Sequence, residues 1–214
     1  MVNFENLKLV ALGNPLLDMQ VRDGQDVLQK YGLKPNDAVL ASPEQLSIYE
    51  HLVENYQVTY VAGGAAQNTA RCAQYALPEG STAYLGCVGN DDLAQQLRAA
   101  NEREGLQSVY QVVNDTPTGS CAVVITGHDR SLCTNLGAAE KFDKSHLDSQ
   151  EAKAAIEAAK FFYIGGFFLT HGVESALIVA KHAKETGKPF AFNLSAPFIP
   201  QFFKSQVDQV MPYA

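Results

Sequence analysis

At 214 residues, with 46% hydrophobic and 18% charged side chains, the chain has room for one ordinary domain, with or without a small appendage, and ample material for a buried core. Sixteen Lys plus Arg against 23 Asp plus Glu leave a net charge of −7; with no basic block, this argues against general binding to nucleic acid while leaving room for a local basic pocket. No apolar run reaches the roughly 20 residues of a membrane helix. The opening Met1-Val2-Asn3-Phe4-Glu5-Asn6 lacks the basic and apolar regions of a secretory leader. Cys72, Cys87, Cys121 and Cys133 show no C-x-x-C spacing, so neither a zinc site nor a disulfide framework is suggested. Together these features describe a soluble α/β protein of a reducing compartment.

Residues 7–13 read as a buried strand, stopped by Gly13 and Asn14-Pro15, where the chain turns out into a loop. A more polar stretch follows, with short helices expected near 25–31 and 43–55. Residues 58–61, β-branched and aromatic, predict a strand. Gly63-Gly64 then leads into a helix from about 65 to 77, whose small apolar face runs Ala66, Ala70, Ala73 and Leu77 before Pro78 ends it. A strand at 83–88 is followed by a helix capped from Asn90-Asp91-Asp92.

From 107 the pattern changes to strands at 109–113, 121–126 and near 131–134, joined by turns without intervening helices, which implies an antiparallel patch. After Gly137 the β-α alternation resumes, with a helix over about 147–159 and a strand at 161–164. A helix at 173–185, a strand at 189–194 and a short helix at 200–207 complete it. Repeated β-α pairs predict a mostly parallel sheet covered by helices. The strand near 8–12, the early hairpins and 107–134 are expected to form a smaller sheet outside it.

Two constellations carry chemistry. In Gly13-Asn14-Pro15-Leu16-Leu17-Asp18, an asparagine at a strand end and an aspartate four residues on could bind adjacent hydroxyls of a polyol, the carboxylate accepting from two of them. Asn-Pro with a nearby Asp is equally ordinary turn punctuation. In Gly63-Gly64-Ala65-Ala66-Gln67-Asn68, the glycines would admit a ligand to the backbone and the helix start offers unpaired N–H groups, with Asn68 one turn in. Close helix–strand packing explains the glycines equally well. The segment is not a dinucleotide fingerprint, and no G-x-x-x-x-G-K-[ST] loop occurs. The five histidines have no ligand-like spacing and are read as surface or loop residues. Cys121 has no partner that would make it a nucleophile.

A third element, Pro117-Thr118-Gly119-Ser120-Cys121-Ala122 followed by the Gly127–Leu132 hairpin with Arg130 past its tip, completes a recognisable order. G-N-P-L-L-D at 13–18, L-K-P-N-D at 33–37, A-G-G-A-A-Q-N at 62–68, P-T-G-S-C-A at 117–122, G-F-F-L-T at 166–170, N-L-S-A-P-F-I at 193–199 and M-P-Y at 211–213 together make the chain resemble the ribokinase-like (PfkB) carbohydrate kinases, and within them the branch that phosphorylates adenosine. The double glycine marks the family as a whole; G-N-P-L-L-D, G-F-F-L-T and N-L-S-A-P-F are narrower to that branch.

The resemblance implies a ribokinase-like α/β fold with a mostly parallel sheet, flanking helices and a small β-rich lid formed by segments of about 14–60 and 107–136. It implies transfer of the ATP γ-phosphoryl group to the adenosine 5′-hydroxyl, giving AMP and ADP in purine salvage, with ATP and Mg²⁺ required. A monomer is implied, with adenosine and ATP as partners and neither nucleic acid nor membrane. The implied address is cytoplasmic, with the nucleus as a second candidate. Asn14 and Asp18 match residues that hold the ribose hydroxyls, helped by Gly63, Gly64 and Asn68. Leu16, Leu40, Cys121, Leu132 and Thr134 match the walls of the adenine pocket, and Phe168 an aromatic ring stacked on the base. Arg130 matches a lid arginine that reaches the transferred phosphate, and Asn193 a position near the phosphates.

One departure stands out. The family's G-A-G-D element, with the general-base aspartate and an anion hole, does not occur here, and the N-x-x-E element that organises magnesium, which the family carries directly after the M-P-Y segment, is not found there; the N-E-R-E spelling at 101–104 lies elsewhere in the order. The chain is therefore expected to correspond to the family's N-terminal portion and to be inactive by itself. The alternatives are a non-catalytic nucleoside-binding fragment and a related kinase for another sugar. A bare sugar needs polar partners, which sets it against the apolar Leu16–Leu40–Leu132 wall.

Overall fold

The computed structural model describes residues 4–214; Met1-Val2-Asn3, part of the segment read as lacking a leader, lies outside the described residues. In chain order the elements are β1 (Leu9–Leu12), β2 (Leu16–Arg22), α1 (Gln25–Tyr31), β3 (Ala38–Leu40), α2 (Ile48–Asn55) and β4 (Thr59–Gly63). Next come α3 (Ala65–Ala76), β5 (Thr82–Gly89), α4 (Asp92–Arg103), β6 (Gln107–Val113), β7 (Ser120–Thr126) and β8 (Asp129–Asn135). The last are α5 (Gln150–Ala158), β9 (Phe161–Gly165), α6 (Val173–Glu185), β10 (Phe190–Asn193), α7 (Phe198–Phe202) and α8 (Lys204–Val210).

The larger sheet has the order β10-β9-β1-β5-β6, and every pair in it is parallel. Alternate side chains of its strands enter two different cores, as the two-residue period of a strand requires. Val10 and Leu12 of β1, with Leu85 of β5 and Ile164 of β9, pack against Ala155 of α5, Val179 of α6 and Val207 of α8. Ala11 and Tyr84 point the other way, onto Ala66 and Ala70 of α3 and Leu97 of α4. Of the face expected on the helix after Gly64, Ala66 and Ala70 are buried and let α3 lie close to the sheet, whereas Ala73 is only partly buried and Leu77, just past the helix end, is exposed; Gln67 and Gln74 take the other buried positions.

The second sheet has the order β3-β8-β7-β2-β4. It is mixed: β7 and β8 form the expected antiparallel hairpin, β2 and β4 are antiparallel, and β2–β7 and β3–β8 are parallel. Val27 and Leu28 of α1 and Ile48 and Leu52 of α2 cover one face of it. Its other face looks towards the larger sheet.

Three expectations about strand placement are corrected. Residues 8–12 are the middle of the parallel sheet, where an uninterrupted Leu-Val-Ala-Leu run suits a strand buried on both sides. Residues 107–113, expected in the smaller sheet, pair parallel with β5; α4 stands between the two strands, and a strand–helix–strand crossover returns parallel. The span after Pro15, read as a loop, is β2: Leu17, Met19 and Val21 alternate with Asp18, Gln20 and Arg22 as a strand requires, and the turn signals of Gly13 and Asn14-Pro15 just ahead masked that pattern. At the end of the chain, the helix expected over 200–207 is two short helices, α7 and α8.

Candidate active site

The cleft between the two sheets opens at the C-terminal ends of β1 and β9, the place where open parallel sheets bind ligands. It encloses about 800 Å³ of empty space, part of it open to solvent.

One rung of the second sheet supplies most of one wall. Leu40 pairs with Thr134, Thr134 with Cys121 and Cys121 with Asp18, so four residues from four strands stand side by side and all line the cleft. Two positions along the strands, on the same face, Leu16 and Leu132 extend the wall, and Arg130 follows at its edge. The thiol of Cys121 is pushed up to about 12 by burial. It receives a 3.2 Å contact from the Thr134 hydroxyl and lines the cleft.

Asp18 is the polar centre. It is 5% exposed, and burial raises its carboxyl to about 6 against the opposing charges of Arg130 and, less strongly, Arg71. Arg130 Nη2 donates to Asp18 Oδ2 at 2.9 Å from a half-exposed side chain. The structure therefore places Arg130 on the Asp18 carboxylate.

The double glycine serves this geometry directly. A Cβ at Gly63 would lie 2.2 Å from Asp18 Oδ1, and one at Gly64 2.3 Å from the Asn14 carbonyl oxygen. Gly64 also has φ +91°, a conformation L-residues avoid. The packing reading and the site reading of these glycines thus coincide: their bareness brings the Asn14–Asp18 segment against the start of α3. There the backbone begins its helical bonding with Asn68 N–H donating to the Gly64 carbonyl, leaving the earlier N–H groups without intrahelical acceptors. Gly64, Ala65, Ala66 and Asn68 line the cleft; Gly63 touches it through Asp18.

The larger sheet contributes the loops after β1, β9 and β10. Asn14 is buried, and its Nδ2 donates to the Phe167 carbonyl at 3.4 Å. Phe168 lines the cleft from within the core, fully buried and set edge-on to Phe142 and His171 with ring centroids 5.5 and 5.0 Å away. Phe167 and Phe198, 5.9 Å apart and less buried, line it as well. Asn193 ends β10 but does not line the cleft; its Oδ1 accepts from the Ser195 N–H at 2.6 Å.

Sequence reasoning missed several residues that matter here. Phe167, Phe198 and Leu136 are in the cleft wall, and the crowding of phenylalanines after residue 160 was the available signal. His171, read as a loop residue, is largely buried, bonded to Asn14 Oδ1 at 2.9 Å and lowered by burial to about 4, hence neutral. Arg71 was not singled out. It holds Glu104 through two bonds and reaches both the Ala62 carbonyl and Asn68 Oδ1.

Comparison with known proteins agrees with this architecture. The family model described as pfkB family carbohydrate kinase matches residues 26–214. The adenosine kinase of Schizophyllum commune is 56% identical over 206 residues, covering 96% of this chain and 60% of the relative. That of Saccharomyces cerevisiae is 49% identical over 210 residues, covering 96% and 61%. Among solved structures, Anopheles gambiae adenosine kinase in complex with P1,P4-di(adenosine-5) tetraphosphate superposes with a TM-score of 0.93 at 46% identity, covering 96% of this chain and 62% of that one. Schistosoma mansoni adenosine kinase in complex with adenosine gives 0.92 at 33% identity, covering 96% and 60%. The chain thus spans about 60% of the length of the curated relatives it matches.

Proposed function

Since the chain belongs to the pfkB family of carbohydrate kinases, we propose that the protein phosphorylates adenosine at its 5′-hydroxyl with ATP, and that these 214 residues supply the nucleoside site. The observation that carries this reading is the union, in one cleft, of a buried carboxylate with an apolar and aromatic wall. A ribose diol suits the first and a purine the second; a bare sugar would leave Leu16, Leu40, Leu132 and the phenylalanines without a partner.

In this reading Asp18 accepts hydrogen bonds from both ribose hydroxyls, and Asn14, Asn68 and the backbone at Gly63-Gly64 complete the polar end. The base lies between the Leu40–Thr134–Cys121 rung with Leu16 and Leu132 on one side and the phenylalanines, Phe168 among them, on the other. The second sheet acts as the lid. Arg130 neutralises Asp18 until the hydroxyls arrive, and is then free to turn its exposed guanidinium to the transferred phosphate. Asn193 stands on the phosphate side, at the C-terminal end of β10. Binding energy is thereby directed to positioning the 5′-hydroxyl, which is most of what phosphoryl transfer asks of a protein.

ATP enters as a co-substrate in its magnesium complex. Among the described residues no group of three or more His, Cys, Asp or Glu side chains could hold a metal ion. The family's G-A-G-D element is absent from these residues, and nothing in the cleft replaces its general base, because Asp18 is committed to the ribose. Residues 1–214 alone are thus expected to bind adenosine without turning it over. A coupled assay for ADP formation, run beside an adenosine-binding titration, tests both halves. ATP-dependent AMP formation by these residues alone would refute the division of labour, and absence of adenosine binding by the intact protein would refute the nucleoside reading.

A further inference from the structure

The two asparagines of the cleft share a feature that their positions alone do not require: each has its side-chain carbonyl oxygen engaged from behind. Asn14 Oδ1 meets His171 Nε2 at 2.9 Å, and Asn68 Oδ1 meets Arg71 Nη1 at 3.3 Å. We infer that His171 and Arg71 are positioning residues that fix the orientation of these two amides, so that the polar end of the cleft presents two N–H donors beside the one carboxylate acceptor of Asp18. The inference rests on the nucleoside reading for its ligand, a vicinal diol, but the orientation itself is a property of the protein alone.

The hydrogen-bond inventory decides the orientation at Asn14. The Phe167 carbonyl can only accept, so the Asn14 group facing it is the NH₂, which leaves Oδ1 towards the imidazole. An amide oxygen can only accept in turn, so His171 must carry its proton on Nε2. The other ring nitrogen, Nδ1, is buried without a partner. With the proton on Nε2 that orphan is a bare acceptor; the opposite tautomer would bury an unpaired N–H and also break the bond to Asn14. One N–H of Asn14 remains for a ligand.

At Asn68 a guanidinium, which has only donors, makes the same choice. Arg71 is held in a bracket: Nε and Nη2 grip the Glu104 carboxylate at 2.7 and 2.5 Å, and Nη1 also donates to the Ala62 carbonyl at 2.7 Å. With Oδ1 of Asn68 taken, its NH₂ is the group left for the cleft that Asn68 lines. Two donors flanking one carboxylate complement a diol in which each hydroxyl accepts once and donates once. An asparagine free to flip would offer a second acceptor beside an anion, which a hydroxyl already donating to Asp18 cannot satisfy.

Two measurements test this. In ligand-free protein labelled with ¹⁵N, a long-range imidazole correlation spectrum should show His171 neutral with its proton on Nε2; a proton on Nδ1, or a charged ring at pH 7, would overturn the inference whether or not any nucleoside binds. The second measurement titrates adenosine, 2′-deoxyadenosine and 3′-deoxyadenosine at pH 8, where Asp18 is ionised, into the intact protein and its His171→Leu, His171→Gln, Arg71→Met and Arg71→Lys variants. Loss of one oriented hydrogen bond corresponds to about a fivefold to tenfold fall in affinity. His171→Leu and Arg71→Met should therefore each shrink the preference for adenosine over one of the deoxy analogues by about that factor, and His171→Gln and Arg71→Lys, which retain a donor, should recover most of it. A variant that only loosens the fold weakens all three ligands alike; unchanged preference ratios in both Leu and Met variants would overturn the inference. Failure of the unmodified protein to bind adenosine would count against the nucleoside reading, with the tautomer then deciding the orientation claim by itself.

Discussion

Asp18→Asn should stabilise the ligand-free protein while abolishing its function, and the gain should depend on pH. Burial holds the Asp18 carboxyl at about 6 against an ordinary value of 3.8, even with Arg130 beside it. Between these values the native protein retains a proton that the unfolded chain has released, so stability falls as pH rises through the window. Roughly two pH units at about 1.4 kcal/mol each give a cost of about 3 kcal/mol, fully developed by pH 7.5 and reduced to about 1 kcal/mol at pH 4.5. Asparagine is nearly isosteric with the protonated acid and never ionises. Urea denaturation of the two proteins should accordingly show Asp18→Asn more stable by up to about 3 kcal/mol at pH 7.5, with the difference shrinking to about 1 kcal/mol at pH 4.5. A difference that does not change with pH, or a variant less stable at pH 7.5, would refute the reasoning: it would mean that Arg130 fully offsets the burial of the charge.

Other substitutions probe the same geometry. Arg130→Gln removes the 2.9 Å ion pair and should move the Asp18 titration above its present value of about 6, as followed by the ¹³C shift of its carboxyl carbon; in the intact enzyme it should lower kcat more than adenosine affinity. Gly64→Ala places a methyl group 2.3 Å from the Asn14 carbonyl at φ +91° and should cost at least about 1–3 kcal/mol in urea denaturation, with weakened adenosine binding. Asp91 caps α4 through the Ala94 N–H and accepts from both the N–H and hydroxyl of Thr118. Asp91→Ala should cost about 1–3 kcal/mol. Burial pushes the Asp91 carboxyl up, but the bonds from Thr118 and the backbone outweigh it and leave it lowered. Its contribution is therefore present above pH 3.8 and lost as pH falls through the lowered value, so the penalty of Asp91→Ala should shrink in acid.

The alternation of strands and helices after residue 137 was legible because Gly165-Gly166, Gly187 and Pro189 mark its breaks and because α5 and α6 carry small-residue faces; α7 and α8, which bury Ile199, Val207 and Val210, do not, and they were read as one helix. The site motifs at 13–18 and 62–68 were legible for a related reason: Asn14, Asp18 and the glycine doublet are polar or bare in otherwise apolar surroundings. What could not be read was which strand sat in which sheet. The β1 run is all apolar and the alternation of β2 starts directly behind a proline turn, so neither announces its neighbours, and β6 resembled the turn-linked strands after it until its pairing with β5 was seen. The rung Leu40–Thr134–Cys121–Asp18 joins residues from four strands through register alone. His171 was hidden because its partner Asn14 lies 157 positions away; Arg71 stands at i+3 from Asn68 on the same helix, a readable spacing, but the Glu104 that holds it is 33 positions off.

Isothermal titration of the intact protein with adenosine, and separately with ribose, tests the central claim most directly, since that claim joins a diol-binding carboxylate to an apolar base wall in one cleft. The expected result is saturable one-to-one binding of adenosine, much weaker binding of ribose, and loss of the adenosine signal in Asp18→Ala. Equal affinity for ribose and adenosine, or adenosine binding unchanged in Asp18→Ala, would contradict it.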